Sequence, residues 1–226
     1  MAVVLDQPAD DDDIYEARGA EVSPARPLLT GDVLRGVPFG GADDQTVMVV
    51  AHPCTMRLGV VLAEKVVCAR VARYPYVATP AWSEGHMRVC PLPSLLDGAH
   101  YACHLDDLCT VEADPLANGE RIACLQQRAV FLLQQRLIAC MTRCRVELAT
   151  IRLSMGGVLA EAELQEEWVE RLSEDLHDAG ANETEVAAFD SFISDRNRRE
   201  ALGDGNRRSQ VIRETTREIR ERAADG

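Results

Sequence analysis

Short apolar runs separated by turn residues dominate the first half of the chain. Thr46–Ala51 is almost entirely apolar and rich in β-branched residues, which is typical of a central buried strand. Four further runs have the length and composition of strands: Gly31–Val37, Val66–Val71, His86–Leu92 and Tyr101–Val111. Pro38–Asp44, rich in glycine and aspartate, predicts a loop. Because no helical pattern interrupts these runs, they predict a small antiparallel β-barrel.

A helical pattern follows the last predicted strand. Apolar residues recur at steps of three and four from Glu120 onward, at Ile122, Leu125, Ala129, Leu133, Leu137 and Cys140. We expect a helix from Glu120 to Cys144 that closes the barrel. Val130, Phe131 and Ile138 widen its apolar surface beyond one stripe, so a second surface must cover it. We therefore predict a homodimer, with the C-terminal helices as the alternative cover.

The last third of the chain predicts helices. Leu164, Trp168, Leu172 and Leu176 are spaced four apart and indicate an amphipathic helix over residues 160–178. Asn182–Glu185 is typical of the start of a second helix. Residues 206–224 are rich in arginine and poor in apolar residues, so an exposed helix is expected, with a nucleic-acid or partner arm as the alternative. The predicted division is residues 1–27, 28–150 and a helical extension over residues 151–226.

Charge and apolar content limit the classes of protein. The formal net charge is −13 at pH 7, which argues against nucleic-acid binding through bulk charge. Residues 1–27 contain the acidic run Asp10–Asp13 and few apolar residues, and predict a disordered acidic tail. This tail is also a candidate cover for a basic or RNA-binding surface. The sequence has no apolar run long enough for a membrane span and no secretory signal, so we expect a cytoplasmic protein.

The eight cysteines are irregularly spaced and include no Cys-x-x-Cys pair. In a reducing compartment disulfides are not expected. The best zinc ligands would be His100, Cys103, His104 and Cys109, with His52 and Cys54 nearby. Buried thiols explain the same count because free cysteine behaves as a small hydrophobe. We therefore predict no zinc and no other cofactor.

Two short motifs lie on the first and last strands of the predicted barrel. The last strand contains Asp106, Leu108, Thr110 and Val111, and the first begins Gly31-Asp-Val33. With the second strand ending Val49-Val-Ala-His52, residues 29–140 resemble the MazF/PemK family of ribonuclease toxins, whose last strand carries Asp-Gln-Leu/Ile-Arg-Thr-Val/Ile. The resemblance implies an SH3-like, PemK-type antiparallel β-barrel closed by a long helix. It also implies single-stranded RNA as a candidate partner.

The resemblance implies candidate catalytic residues for metal-independent RNA cleavage. Cys109 stands where the family has an arginine, and a thiol provides neither a fixed positive charge nor paired donors for phosphate. Thr110 remains to bind a phosphate oxygen. His52 is the candidate general base, and Arg35 is the candidate cation. On this hypothesis, an arginine at position 109 would raise cleavage.

Each of these residues has a simpler structural interpretation. His52-Pro-Cys54 also fits a turn in which the imidazole bonds to the backbone, and a threonine in a strand is often only a good β-former. A nucleophilic pair, His52 with Cys54 or His104 with Cys109, is a further alternative.

Three functions remain open from the sequence. The first is a toxin-like barrel related to RNA-cleaving toxins, with an altered and inactive or weakly active site. The second is a non-catalytic binding or assembly module in a defence or regulatory complex, with a protein partner at the acidic tail or the C-terminal helices. The third is a zinc-stabilised structural protein.

Overall fold

Seven antiparallel strands form a nearly closed β-barrel, which confirms the predicted fold class. The structure, a computed structural model, describes residues 4–83 and 86–225. The strands lie in the order β1-β9-β2-β3-β6-β8-β7. Their bounds are β1 Tyr15–Arg18, β2 Asp32–Phe39, β3 Ala42–Val49, β6 Lys65–Arg73, β7 Val89–Leu96, β8 Ala99–Glu112 and β9 Glu120–Leu125, and a separate two-stranded sheet joins β4 Arg57–Leu58 to β5 Val61–Leu62.

The connection between β2 and β3 is a two-residue turn and not the predicted loop. Gly40 and Gly41 both have positive φ, at 59° and 82°, which the turn of a tight hairpin requires and glycine adopts without steric cost. The strands pair up to Phe39 opposite Ala42. Of residues 38–44, which were predicted as a loop, all except Gly40 and Gly41 belong to the two strands.

The N-terminal strand closes most of the gap between the two edges of the sheet. Strand β1 pairs with β9, while its Tyr15 hydroxyl donates to the carbonyl of Pro93 on β7 at 3.0 Å, and Arg18 donates to the carbonyl of Ser94 at 2.8 Å. Leu5 and Ile14 are buried. The prediction of a disordered acidic tail is therefore wrong for the segment from Leu5 to Arg18. Residues 1–3 of the predicted tail lie outside the described residues.

The closing helix begins later than predicted. Residues 120–125 form β9, and helix α3 runs from Gln127 to Thr142. Ile122 and Leu125 fit the spacing of a helical apolar stripe and also the pattern of an apolar strand. The segment forms a strand because it pairs with β1 and β2. Two shorter helices flank the strands, α1 Pro53–Met56 and α2 Ala113–Ala117.

Three consecutive polar residues fix helix α3 to the barrel unit. Gln134 donates to the carbonyl of Val50 at 2.8 Å, and Gln135 donates to the carbonyl of Val146 at 2.7 Å. Arg136, which is fully buried, donates to the carbonyls of Trp82, His86 and Val89. Its guanidinium also stacks 4.9 Å from the centre of the Trp82 ring. Polar groups on the helix therefore satisfy the backbone of three separate segments.

The chain divides into two structural units. The first contains the barrel and extends through Arg152; the second contains residues 23–27, residues 57–61 and the chain from Leu153 onward. Four helices continue the fold: α4 Leu148–Leu172, α5 Ala179–Ser194, α6 Arg198–Gly203 and α7 Arg208–Asp225. In the part of the chain that the structure describes, no helix is both long and apolar enough to cross a membrane.

The core of the second unit contains aromatic and aliphatic side chains from its helices. Trp168 packs edge-on against Phe189, with ring centres 5.7 Å apart, and its indole NH donates to Glu185. Val211 and Ile219 of α7 are buried in the same cluster. The C-terminal helix expected from the sequence is present as α7 and most of its residues are exposed, but it also buries Val211 and Ile219, which its low apolar content did not predict. Helix α5 begins at an Asp178 cap, four residues before the predicted start.

Replacing Arg136 by lysine should lower the free energy of unfolding by about 2–4 kcal/mol, because lysine cannot reach the three carbonyls together and leaves buried groups unpaired. Urea unfolding followed by circular dichroism measures this change. The control is Arg128→Lys, an exposed arginine on the same helix. Equal unfolding midpoints for the two variants would show that the buried guanidinium contributes little.

Candidate functional site

The structure separates Arg35 from His52 and Thr110, the other two residues predicted to be catalytic. Val67 of β6 lies opposite Thr110 of β8 and accepts hydrogen bonds from the amides of Val50 and Ala51, which places His52 at the same end of the sheet. On β2, Leu34 lies opposite Val47, so Arg35 lies about six residues from His52 along β3. At about 3.3 Å per residue this is roughly 20 Å. His52 and Thr110 are therefore neighbours in register, and Arg35 is not.

Arg35 is already held by a carboxylate. Its Nε and Nη2 donate to the same oxygen of Glu120, at 2.9 and 2.6 Å, across the β2–β9 pair. This hydrogen bond raises the pKa of Arg35. Both side chains are exposed, so the pair contributes little to stability, but it neutralises the cation that the sequence assigned to phosphate.

His52 lies in the turn that the simpler interpretation describes. Its carbonyl accepts from the amide and the hydroxyl of Thr55, both at 2.8 Å, at the start of helix α1. Its Nδ1 accepts from the amide of Cys54 at 3.3 Å. In the neutral ring Nε2 then carries the proton, so the lone pair that a general base needs is used by the backbone. Burial lowers the pKa of His52.

Cys109 and Thr110 lie on opposite faces of β8. Cys109 is half-buried and packs against the barrel core, whereas Thr110 is exposed. An arginine at position 109 would therefore start from the face opposite Thr110, and the gain of cleavage expected from it stays a prediction. Both residues border a groove of about 310 Å³ between the Gly40–Gly41 turn and the end of β8.

Four of the eight cysteines are buried thiols, Cys68, Cys90, Cys103 and Cys124, whereas Cys54 and Cys144 are exposed. Cross-strand pairing puts Cys68 opposite Cys109 and Cys90 opposite Cys103. Burial raises the pKa of Cys68 to about 12 and of Cys90 to about 11, and it raises the pKa of Cys103 well above its usual range. Within the described residues, no group of three or more histidine, cysteine or acidic side chains converges as a metal site would require.

Neither proposed cysteine–histidine pair has the geometry of a nucleophile and its base. The ring of His52 bonds to the backbone amide of Cys54, and burial raises the pKa of that thiol. The thiol of Cys109 donates to the carbonyl of Thr110 at 3.4 Å. His104 lies opposite Arg70 and Cys109 lies opposite Cys68, two positions apart along β6, because β8 bulges between them. The ring of His104 packs instead against Tyr74, with ring centres 6.0 Å apart.

The Gly31-Asp32 motif has a structural explanation. Gly31 has a φ of +90°, and a Cβ there would lie 3.0 Å from atoms of both Leu125 and Val130. The fully buried carboxylate of Asp32 accepts from the amide of Leu29 at 2.9 Å and pairs with Arg121. This part of the resemblance therefore reflects the turn that leads into β2 and carries no information on RNA cleavage.

Cations near the motif strand are paired with carboxylates. Lys65 on β6 pairs with Glu112 on β8 at 3.0 Å. Arg70 on β6 pairs with Asp107 on β8 at 2.7 Å. The motif residue Asp106 pairs with Arg88 at 3.6 Å. Between the first two pairs, Val67 and Leu108 are each 36% exposed on neighbouring positions of β6 and β8. We call Val67, Leu108 and Thr110 the β6–β8 strip.

A second groove of the barrel unit was not expected from the sequence. It measures about 380 Å³ and is bordered by Arg128 and Phe131 on α3 and by Leu148 and Arg152 on α4. Residues 144–147, which lie in no helix or strand, bring the start of α4 back beside the start of α3. No local pattern in the sequence predicts this return, because it depends on the hydrogen bond from Gln135 to Val146.

Comparison with known proteins gives the chain no family. No protein-family profile matches the sequence, and no curated protein is significantly similar to it.

Thiol alkylation of the native protein should discriminate between the cysteines. Cys144 is exposed and should react with iodoacetamide, whereas Cys68, Cys90 and Cys103 should react only after unfolding, because burial blocks access and disfavours the thiolate. Peptide mass spectrometry locates the label. Rapid native labelling of Cys103 at a rate similar to that of Cys144 would contradict the placement of Cys103.

Proposed function

We propose that this protein is a toxin-like barrel with an altered, inactive site, and that it serves as a non-catalytic binding or assembly module. Two facts about Arg35, the candidate cation for phosphate, carry the proposal. Glu120 already neutralises it, and it lies roughly 20 Å from His52. Cleavage of RNA requires a base, an acid and a cation around one phosphate. The candidate cation is therefore distant from the candidate base.

The surface around Thr110 supports protein binding more than RNA binding. RNA backbone recognition uses cations that are free to replace counterions, and Lys65 and Arg70 each have a carboxylate partner. The β6–β8 strip is uncharged, and paired charges lie on both sides of it. An apolar centre with a polar rim is typical of protein interfaces.

The first protein partner that we propose is a second copy of the chain. The original ground for a homodimer was the surplus apolar surface of α3, and this ground no longer holds because residues 129–136 of that helix are buried within the chain. The β6–β8 strip is the dimer contact that we propose instead. A two-fold contact would bury Leu108 and Val67 of both copies, and two-fold dimers are the commonest oligomers.

RNA cleavage tests the loss of activity. The purified full chain, incubated with labelled single-stranded RNA, should give no products on a denaturing gel, and Arg35→Ala, His52→Ala and Thr110→Ala should not differ from it. A ribonuclease of the MazF/PemK family serves as the positive control. Loss of a true catalytic group costs about 100-fold in rate or more. Cleavage reduced to that extent by His52→Ala, but not by the exposed control His177→Ala, would show that the barrel is a ribonuclease.

Sedimentation velocity at micromolar concentration tests self-association. We expect a dimer for the full chain and a monomer for Leu108→Arg, because the new charge would be buried unpaired in the contact. Leu153→Arg is the matched control, since Leu153 is 75% exposed and lies outside the strip. A monomer for the unmodified chain would exclude the homodimer, and the same shift in both variants would exclude the strip as its contact.

A further inference from the structure

A hollow in the second unit is lined largely by arginines. It measures about 320 Å³ and lies between the connection of α5 to α6 and the first turns of α7. We call it the arginine pocket. Its lining residues are Arg196, Arg198, Ala201, Arg207, Gln210, Val211, Glu214 and Arg217. Four guanidiniums therefore face one carboxylate, in a chain whose overall charge is strongly negative.

Arg198 forms the fixed part of the arginine pocket. Its guanidinium lies 4.1 Å from the centre of the Phe192 ring, donates to the Phe192 carbonyl at 2.8 Å, and pairs with Glu214 at 3.3 Å. Glu214 also accepts from Gln210 at 2.8 Å. The only carboxylate of the lining is therefore used by the one arginine that is largely buried.

The other three guanidiniums are available to a ligand. Within the described residues, the side chain of Arg207 has no hydrogen-bond or ion-pair partner. Arg196 and Arg217 are 80% and 73% exposed, and their ion pairs, with Asp195 at 3.3 Å and with Glu221 at 3.8 Å, are of the weak surface kind. An anion that binds all three would displace little of the existing structure.

The backbone at the edge of the arginine pocket adopts an uncommon conformation. Arg196 and Asn197 have φ values of 53° and 57°, in the left-handed region that side chains with a Cβ rarely adopt. Asparagine tolerates this conformation better than most residues, so Arg196 is the strained position of the two. Such strain is often found at binding sites, where the geometry it gives is part of the function. Here it places a guanidinium at the mouth of a basic hollow.

We propose that the arginine pocket binds a phosphate-bearing ligand. Guanidinium groups donate paired hydrogen bonds that match phosphate oxygens, and a phosphate accepts such pairs from several directions at once. An anion in the pocket would gain the unpaired charge of Arg207 and would compete with Asp195 and Glu221 for Arg196 and Arg217. The hollow is at the small end of the range for ligand sites, so it admits a phosphate or diphosphate group.

Calorimetric titration of the full chain with inorganic pyrophosphate tests the proposal. We expect saturable binding that weakens about tenfold or more in Arg207→Ala, because charge-assisted hydrogen bonds to phosphate are lost. Arg213→Ala is the matched control: it removes the same charge from an exposed position of α7 outside the pocket and should leave the affinity within a factor of about two. Thermal unfolding verifies that both variants are folded.

A second titration identifies the source of the phosphate. A labelled single-stranded RNA oligonucleotide is followed by fluorescence anisotropy, with pyrophosphate as competitor. Arg207-dependent binding of both probes assigns the pocket to a nucleic-acid backbone, and binding of pyrophosphate alone assigns it to a small phosphorylated molecule. No saturable pyrophosphate binding at low salt, or equal losses in Arg207→Ala and Arg213→Ala, would overturn the proposal.

Arg196→Gly separates binding from folding. Glycine fits the positive φ, so the unfolding temperature should stay equal or rise, while the pyrophosphate affinity falls with the lost guanidinium. Unchanged affinity in this variant would overturn the assignment of Arg196 to the site.

Discussion

Helix α3 is held in place by polar groups buried where the helical pattern predicts only packing. Gln134, Gln135 and Arg136 are 4%, 0% and 0% exposed, and each bonds to the backbone of a different segment. Carbonyls in irregular segments would otherwise be buried without donors, which is costly. This one helix provides the hydrogen-bond donors for carbonyls in three segments: the end of β3, the chain before α4 and the connection into β7. Shape and hydrogen bonding therefore fix the position of α3 together.

The strands of the barrel could be predicted because their signal is local. Thr46–Ala51 and Val66–Val71 are apolar and β-branched, and both regions form paired strands. Residues 120–125 show the limit of such reasoning: their apolar spacing fits a helix or a strand, and partners distant in sequence decide. The same holds for β1, whose four residues are too short a run to be recognised as a strand before β9 is in place.

The candidate site was less predictable than the fold because a motif gives no information on side-chain direction. Cys109 and Thr110 are adjacent in sequence, and the alternation of a strand places them on opposite faces. Arg35 has the right chemistry for phosphate, but Glu120 is its cross-strand neighbour. The arginines of the last helix were visible in the sequence. Their arrangement around a hollow was not, since it depends on the left-handed backbone at Arg196 and Asn197.

The place of β1 in the sheet determines when the barrel can form. Tyr15 pairs with Leu125, about 110 residues later, so β1 has no strand partner until most of this unit has been synthesised. Until then β1 has an unpaired edge, and the run Asp10–Asp13 just before it places negative charge beside that edge, which opposes pairing with other chains.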